Sequence, residues 1–151
     1  MRIALGSDHA GYDLKQLLGE TLRDWGYETL DLGTDSAVVA VDYPDFAGDV
    51  GRAVVSGRAE LGVVCCGSGI GVGIAANKVN GVRAAVVHDV TSAHLAREHN
   101  HANVLALGAR LIGTSVALEC LRAWLEATPE PRHQPRIDKL RALEASRDDE
   151  R

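Results

Sequence analysis

The sequence predicts a doubly wound α/β domain on a five-stranded parallel sheet, and three observations lead there. Short apolar runs alternate with segments of helical period along most of the chain. The run at 61–66 is apolar throughout rather than alternating, as a central strand covered on both faces must be. Polar residues of catalytic type follow the apolar runs, at the strand ends where ligands bind in this class. Strands alternating with helices imply right-handed crossovers and hence a parallel sheet.

Residues 3–5 read as the first strand, stopped by Gly6-Ser7-Asp8. Residues 14–25 follow as a helix, with Leu14, Leu17, Leu18, Leu22 and Trp25 at helical spacing and Gly26 closing it. Residues 28–32 form a second strand, 33–44 a loop and 46–55 a helix. The third strand, 61–66, is followed by a helix at 70–78, a fourth strand at 82–87 and a helix at 91–99. A fifth strand at 104–107 and an amphipathic helix at 115–127 complete the pattern. Thr128-Pro129-Glu130-Pro131 is a linker, so the domain runs over residues 1–128 and residues 129–151 form an extension. The charged segment 135–147 has few apolar anchors (Ile137, Leu140, Leu143), too few for a second domain. It is expected to be helical and to pack on a partner subunit.

A chain of 151 residues suits one domain, and 46% hydrophobic with 25% charged residues supports a core without staples. Aromatics make up 4%, so Val, Ala, Leu and Ile must build that core. A net charge of −5 gives no basic field for nucleic acid or an anionic membrane. No apolar run approaches the ~18–20 residues that span a bilayer. Nothing at the start resembles a signal peptide. The cysteines, Cys65, Cys66 and Cys120, are odd in number, include an adjacent pair and form no Cys-x-x-Cys motif. A reduced, cytoplasmic protein is expected. Positive charge gathers late in the chain, where Arg132, Arg136, Lys139 and Arg141 lie near His133. That cluster reads either as a solvated helix face or as an anion clamp.

The strand ends deliver Ser7, Asp8 and His9, then Cys66, then His88 and Asp89, then Gly108 and Arg110. After the third strand comes a glycine-rich turn. Its pattern, Gly67-x-Gly69-x-x-x-Gly73, misses the dinucleotide spacing, and no Gly-x-x-x-x-Gly-Lys is present. Successive N–H groups at such a turn form a nest for negative charge, either a phosphate or the oxyanion of an enediolate. Cys66 stands on the threshold of that nest, where a thiolate is favoured. A thiolate facing an oxyanion hole suits deprotonation of a carbon beside a carbonyl. Cys65 reads as a buried structural residue, and Cys120 as packing within a helix.

The segments Gly6-Ser7-Asp8-His9-Ala10-Gly11, Asp42-Tyr43-Pro44, Cys66-Gly67-Ser68-Gly69-Ile70-Gly71, Ala75-Ala76-Asn77-Lys78, Glu98-His99-Asn100 and Asn103-Val104-Leu105-Ala106-Leu107-Gly108 occur in this order. Together they resemble the type B ribose-5-phosphate isomerases, a group whose wider family includes galactose-6-phosphate isomerase subunits. The likeness runs from residue 2 to about residue 145. It implies a Rossmann-like three-layer sandwich and a homodimer, or dimer of dimers, with sites shared across the interface. It also implies the interconversion of ribose 5-phosphate and ribulose 5-phosphate, a step of pentose phosphate metabolism, without metal or cofactor. By that resemblance Cys66 is the base. Gly67, Ser68, Gly69, Ile70 and Gly71, with Gly73 behind them and Asn77 in support, form the anion hole. Asp8 and His99 serve ring opening, Tyr43 and Asn100 contact the sugar, His9, Arg132 and Arg136 bind the phosphate, and Arg110 is a further site residue. Ser68 stands where many relatives carry Thr, which keeps the hydroxyl and drops a methyl.

Other readings have less support. A metal site at His94, His99 and His101 is disfavoured because His94 and His99 are five residues apart, off a common helix face. A non-catalytic phosphate-binding module would not need Cys66. A redox pair at Cys65 and Cys66 would be strained. Galactose 6-phosphate, allose 6-phosphate and four-carbon ketose phosphates are the alternative substrates. The site residues on one chain favour a homo-oligomer acting on a pentose phosphate.

Overall fold

Every predicted strand and helix forms, and in the predicted order. A computed structural model describes residues 1–149; Glu150 and Arg151, the end of the predicted extension, lie outside the described residues. The chain runs β1 (Arg2–Ser7), α1 (Tyr12–Asp24), β2 (Glu28–Asp31), α2 (Tyr43–Val55), β3 (Leu61–Cys66), α3 (Ile70–Ala76), β4 (Ala84–Val86), α4 (Val90–Glu98), β5 (Val104–Gly108) and α5 (Thr114–Glu126). A 3-10 turn at Pro131–His133 leads into α6 (Gln134–Asp149). No helix among the described residues is long and apolar enough to cross a membrane.

All pairings are parallel, in the order β2-β1-β3-β5-β4. The order reverses between β1 and β3, so the two strand ends there part and leave a crevice. Register places Ser7 beside Cys65 and Cys66 beside Gly108, which aligns three strand ends on one edge.

Side chains alternate across the sheet and build two unlike cores. Ile3, Leu5, Val63, Cys65, Leu105 and Leu107 face α1, α4 and α5, where Leu18, Leu22, Leu121 and Trp124 are fully buried. Ala4, Val64, Cys66 and Ala106 face α2 and α3, against Ala47, Val50, Ala53, Val72 and Ala76. The adjacent cysteines therefore point to opposite faces.

Several element ends shift from the sequence reading, and two of the shifts have a physical reason. Helix α2 starts at Tyr43 rather than at residue 46, because Pro44 in its first turn lacks an N–H that would have no partner there anyway. Strand β4 is confined to Ala84–Val86. It is an edge strand, and the outward N–H and C=O of Ala84 are taken by one side chain instead of a neighbour. Ala84 N–H donates to Asn77 Oδ1 at 2.8 Å, and Asn77 Nδ2 donates to the Ala84 carbonyl at 2.9 Å.

The start of the extension packs on its own chain. Glu130 N–H donates to the Glu98 carbonyl, Ile137 is buried, and Gly81 N–H donates to Glu144 Oε1. Leu140 and Leu143 on α6 stay exposed.

One buried charge ties the loop after β2 to the rest. Lys15 on α1 is 2% exposed, yet its three ammonium protons meet Asp31 Oδ1 at 2.7 Å, Asp31 Oδ2 at 2.6 Å and the Thr34 carbonyl at 3.1 Å. Asp31 keeps about half of its side chain in water, so the two partners are not equivalent. Asp31→Asn, which leaves the ammonium buried and uncompensated, should cost about 3–5 kcal/mol. That corresponds to a melting temperature lower by on the order of 10 °C for a chain of this size. Lys15→Met leaves a carboxylate that water can solvate and should cost less. Urea or thermal denaturation of the two variants checks the order.

Candidate active site

The carboxyl edge is shaped by the turn after β3. Gly69 caps α3 with φ +77°, a left-handed conformation that β-carbon residues resist. The turn folds back on its own cysteine: Gly69 N–H donates to Cys66 Sγ at 3.1 Å, and Ile70 N–H donates to Ser68 Oγ at 3.2 Å. The chain leaving β5 locks it from the other side, with Ala109 N–H donating to the Cys66 carbonyl and Arg110 N–H to the Gly67 carbonyl. Arg110 then lies across Gly67, where a Cβ would stand 3.1 Å from its Nη1. The Tyr43 ring, from the first turn of α2, lies across Gly71, where a Cβ would stand 2.7 Å from Tyr43 Cζ.

Strand β1 supplies the facing wall. Asp8 is buried and accepts from Gly11 N–H at 3.0 Å through Oδ1. His9 Nδ1 accepts from Val41 N–H at 3.2 Å, which fixes the ring and brings the loop before α2 over the crevice. The cavity so enclosed has a volume of about 380 Å3 and is lined by Asp8, His9, Tyr43, Cys66, Gly67, Ser68, Gly71 and Arg110, with Ala10 and Leu111. Ten of the predicted site residues thus gather at one edge: these eight together with Gly69 and Ile70 of the turn. Ala10, Leu111 and the Val41 amide were not read from the sequence, since nothing in their chemistry marks them.

Five predicted residues lie elsewhere on this chain. His99 caps the C-terminal end of α4 and Asn100 follows it, at the amino edge of β5. From there to the level of Cys66 is the length of β5, four residue steps or about 13 Å. Asn77 also sits at the amino edge, holding β4, and it lines a second cavity of about 370 Å3 together with Asn100 and Arg83. Arg132 and Arg136 stand beside His99 on the extension. Arg132 Nε donates to Glu130 Oε2, and Arg136 Nη1 donates to His133 Nδ1 at 2.7 Å. The His99 ring lies 4.6 Å from the His133 ring, and His99 Nε2 is 3.2 Å from Glu98 Oε2.

Two residues off the predicted set help organise this second group. Glu130 has a carboxyl held low, first by the Arg132 hydrogen bond. His133 has its ring pKa lowered, first by burial and then by Arg132, His99 and Arg136. Asp89, delivered by β4 as expected, is used as the cap of α4; its oxygens accept from Ser92 N–H at 2.7 Å and from Ser92 Oγ at 2.8 Å. Those bonds lower its pKa.

Comparison with known proteins follows the same outline. A family model described as Ribose/Galactose Isomerase matches residues 3–140. Ribose-5-phosphate isomerase B of Escherichia coli (strain K12) is 43% identical over 147 residues, covering 97% of this chain and 98% of that protein. D-erythrulose-4-phosphate isomerase of Pectobacterium atrosepticum is 42% identical over 141 residues, covering 93% of each. The solved structure of Clostridium thermocellum ribose-5-phosphate isomerase B superposes with a TM-score of 0.94 at 46% identity, covering 97% of this chain and 99% of that one.

The three thiols differ sharply in setting. Cys65 is fully buried, and burial, ahead of the charges of Cys66 and Asp8, pushes its thiol far up. Burial pushes Cys120 up to about 11. Cys66 borders the cavity. Brief treatment of the folded protein with iodoacetamide should therefore give a single adduct, on Cys66, and the unfolded protein should give three. Intact-mass and peptide mass spectrometry read this, and comparable labelling of Cys65 in the folded protein would contradict it.

Proposed function

We propose that this chain, which belongs to the Ribose/Galactose Isomerase family and is an aldose–ketose isomerase, interconverts ribose 5-phosphate and ribulose 5-phosphate. The observation that carries the proposal is the placement of the Cys66 thiol between a turn rich in backbone N–H groups and the wall formed by Asp8 and His9.

In the proposed mechanism the furanose opens first. A proton passes from His99 to the ring oxygen as its bond to C1 breaks, and the C1 hydroxyl gives its proton to Asp8 and becomes the aldehyde. The Cys66 thiolate then takes the proton on C2. The electron pair moves into an enediolate, whose oxygen is stabilised by the N–H groups at the start of α3, where helical acceptors are missing. Transfer of the O2 hydroxyl proton to O1 and return of the proton from the Cys66 thiol to C1 give the ketose. Ser68 Oγ hydrogen-bonds the sugar, Tyr43 packs beside it, and His9 with Arg132 and Arg136 receives the phosphate. Arg groups suit a dianion through their planar donors.

This mechanism needs both groups of residues around one sugar, and a single chain holds them about a strand length apart. We infer a homodimer in which the amino-edge group of one subunit (His99, Asn100, Arg132, Arg136) completes the carboxyl-edge group of the other. Ile70 and Ile74 on α3, and Leu140 and Leu143 on α6, offer the exposed apolar surface such a contact would cover. The three free cysteines suit a reducing, cytoplasmic setting. A four-carbon ketose phosphate is the second reading, favoured by the relative that acts on D-erythrulose 4-phosphate.

A coupled assay of the purified protein against four-, five- and six-carbon aldose and ketose phosphates should give the highest kcat/KM on the five-carbon pair. Preference for a four- or six-carbon substrate would replace the pentose assignment. Turnover should survive exhaustive dialysis against a chelator; loss restored by one divalent ion would replace the proposed mechanism with a metal-assisted one. Cys66→Ala should lower kcat by about two to four orders of magnitude, the usual worth of a general base. Cys65→Ala should stay active, and equal losses at both positions would mean that the cysteines serve packing.

A further inference from the structure

The amino-edge group assigned to the phosphate carries a negative charge of its own. Glu130 Oε2 accepts a hydrogen bond from Arg132 Nε and stands 3.5 Å from His133 Nε2. A carboxylate oxygen of Glu130 and ring nitrogens of His99 and His133 all lie within 4.8 Å of one another. Arg136 adjoins them through His133, whose Nδ1 accepts from Arg136 Nη1 at 2.7 Å. Glu98 stands by His99, its Oε2 3.2 Å from Nε2, whereas Glu130 is paired with the arginine. Two imidazoles and a carboxylate at this spacing suggest a cation site. The guanidinium on His133 Nδ1 argues against that, because it leaves the ring proton on Nε2, where a metal would need the lone pair.

Of the two partners in the Arg132 pair, the carboxylate is the better fixed. Glu130 N–H donates to the Glu98 carbonyl at 2.8 Å, and the Glu130 carbonyl lies 2.9 Å from His101 Nε2. The Arg132 side chain is 66% exposed, against 34% for Glu130, so it has room to turn from one anion to another. The hydrogen bond from Arg132, foremost, holds the Glu130 carboxyl below its usual range. A phosphate monoester becomes a dianion only above a pH of about 6, so Glu130 is ionised wherever the substrate is fully charged. An incoming phosphate therefore meets an arginine that is already paired. It takes Arg132 from Glu130, or it shares the guanidinium and lies beside a like charge; either way its binding is weakened. We propose that Glu130 is an internal competitor for Arg132, one that occupies the arginine in the empty site and sets the affinity for the sugar phosphate. The proposal rests on the isomerase reading above, in which Arg132 binds phosphate. Substrate and product carry the same phosphate, so the competition weakens both alike and leaves the proton transfers untouched.

Glu130→Gln keeps the length of the side chain and an oxygen that can accept from Arg132, and it removes the charge. With ribose 5-phosphate at pH 8 its KM should fall about three- to tenfold, the range between an exposed ion pair and a hydrogen bond to a charged group. Its kcat should change little, as for any interaction common to ground and transition states. Calorimetric titration of the substrate-free protein with inorganic phosphate should show the same gain in affinity. In an Arg132→Ala background the second substitution should alter phosphate affinity by less than about twofold, because the contested partner is gone. Unchanged or weaker phosphate binding in Glu130→Gln would overturn the proposal and make Glu130 a support that orients the arginine. An equal gain in both backgrounds would also overturn it, since a change in overall charge alone would produce that. A wild-type protein that turns over no sugar phosphate would instead remove the isomerase reading, while the phosphate titrations would still decide whether Glu130 competes for Arg132.

Discussion

Three backbones meet at the carboxyl edge of the sheet with no room for a side chain between them. A Cβ on Gly108 would lie 2.4 Å from the Ser68 carbonyl oxygen, and a Cβ on Gly11 would lie 2.5 Å from the Cys65 carbonyl. The exits of β1, β3 and β5 are thus held against one another by backbone contact alone. The position of Cys66 Sγ, the curl of the turn onto it and the reach of Arg110 across Gly67 all follow from this contact. Atoms joined by few rotatable bonds to a rigid sheet keep their spacing without further support, which is what pre-organised catalysis requires.

The two faces of the sheet divide the remaining work. The face towards α1, α4 and α5 is built from Leu, Ile and Trp, and it holds most of the large buried side chains. The opposite face is built from Ala, Val, Gly and Cys66, so α2 and α3 approach closely. A Cβ on Gly62 would stand 2.6 Å from Val50 Cγ1. Close approach brings Tyr43 of α2 onto Gly71 of α3, beside the thiol. The thick face supplies stability, and the thin one supplies precision at the site.

Much of this was legible in the sequence. Hydrophobic runs and their spacing place all five strands and the helices between them, because a buried parallel sheet leaves a strong apolar signal. The carboxyl-edge group is legible too, since strand ends in an α/β chain deliver their residues to one side. Other features depend on partners that sequence order does not reveal. The uniform run at 61–66 hides which cysteine faces which layer, because both faces are apolar. Asn77 reads as a polar residue near a glycine turn, whereas its carboxamide holds the Ala84 backbone. His99 follows a helix rather than a strand, and that alone places it at the amino edge. Glu130 and His133 gain meaning from Arg132, Arg136 and His99, which fold around them.

The opposed cysteines carry a consequence for oxidative damage. The sheet itself stands between Cys66 and the other two thiols, since Cys65 and Cys120 both lie in the layer beyond it. A sulfenic acid formed on Cys66 by peroxide has no internal thiol to condense with, so the chain contains no resolving partner among its own cysteines. Protection must come from small thiols entering the cavity from solution. Without them, the residue that borders the sugar site is left to the irreversible steps of the ladder, while Cys65, one peptide bond away, stays reduced.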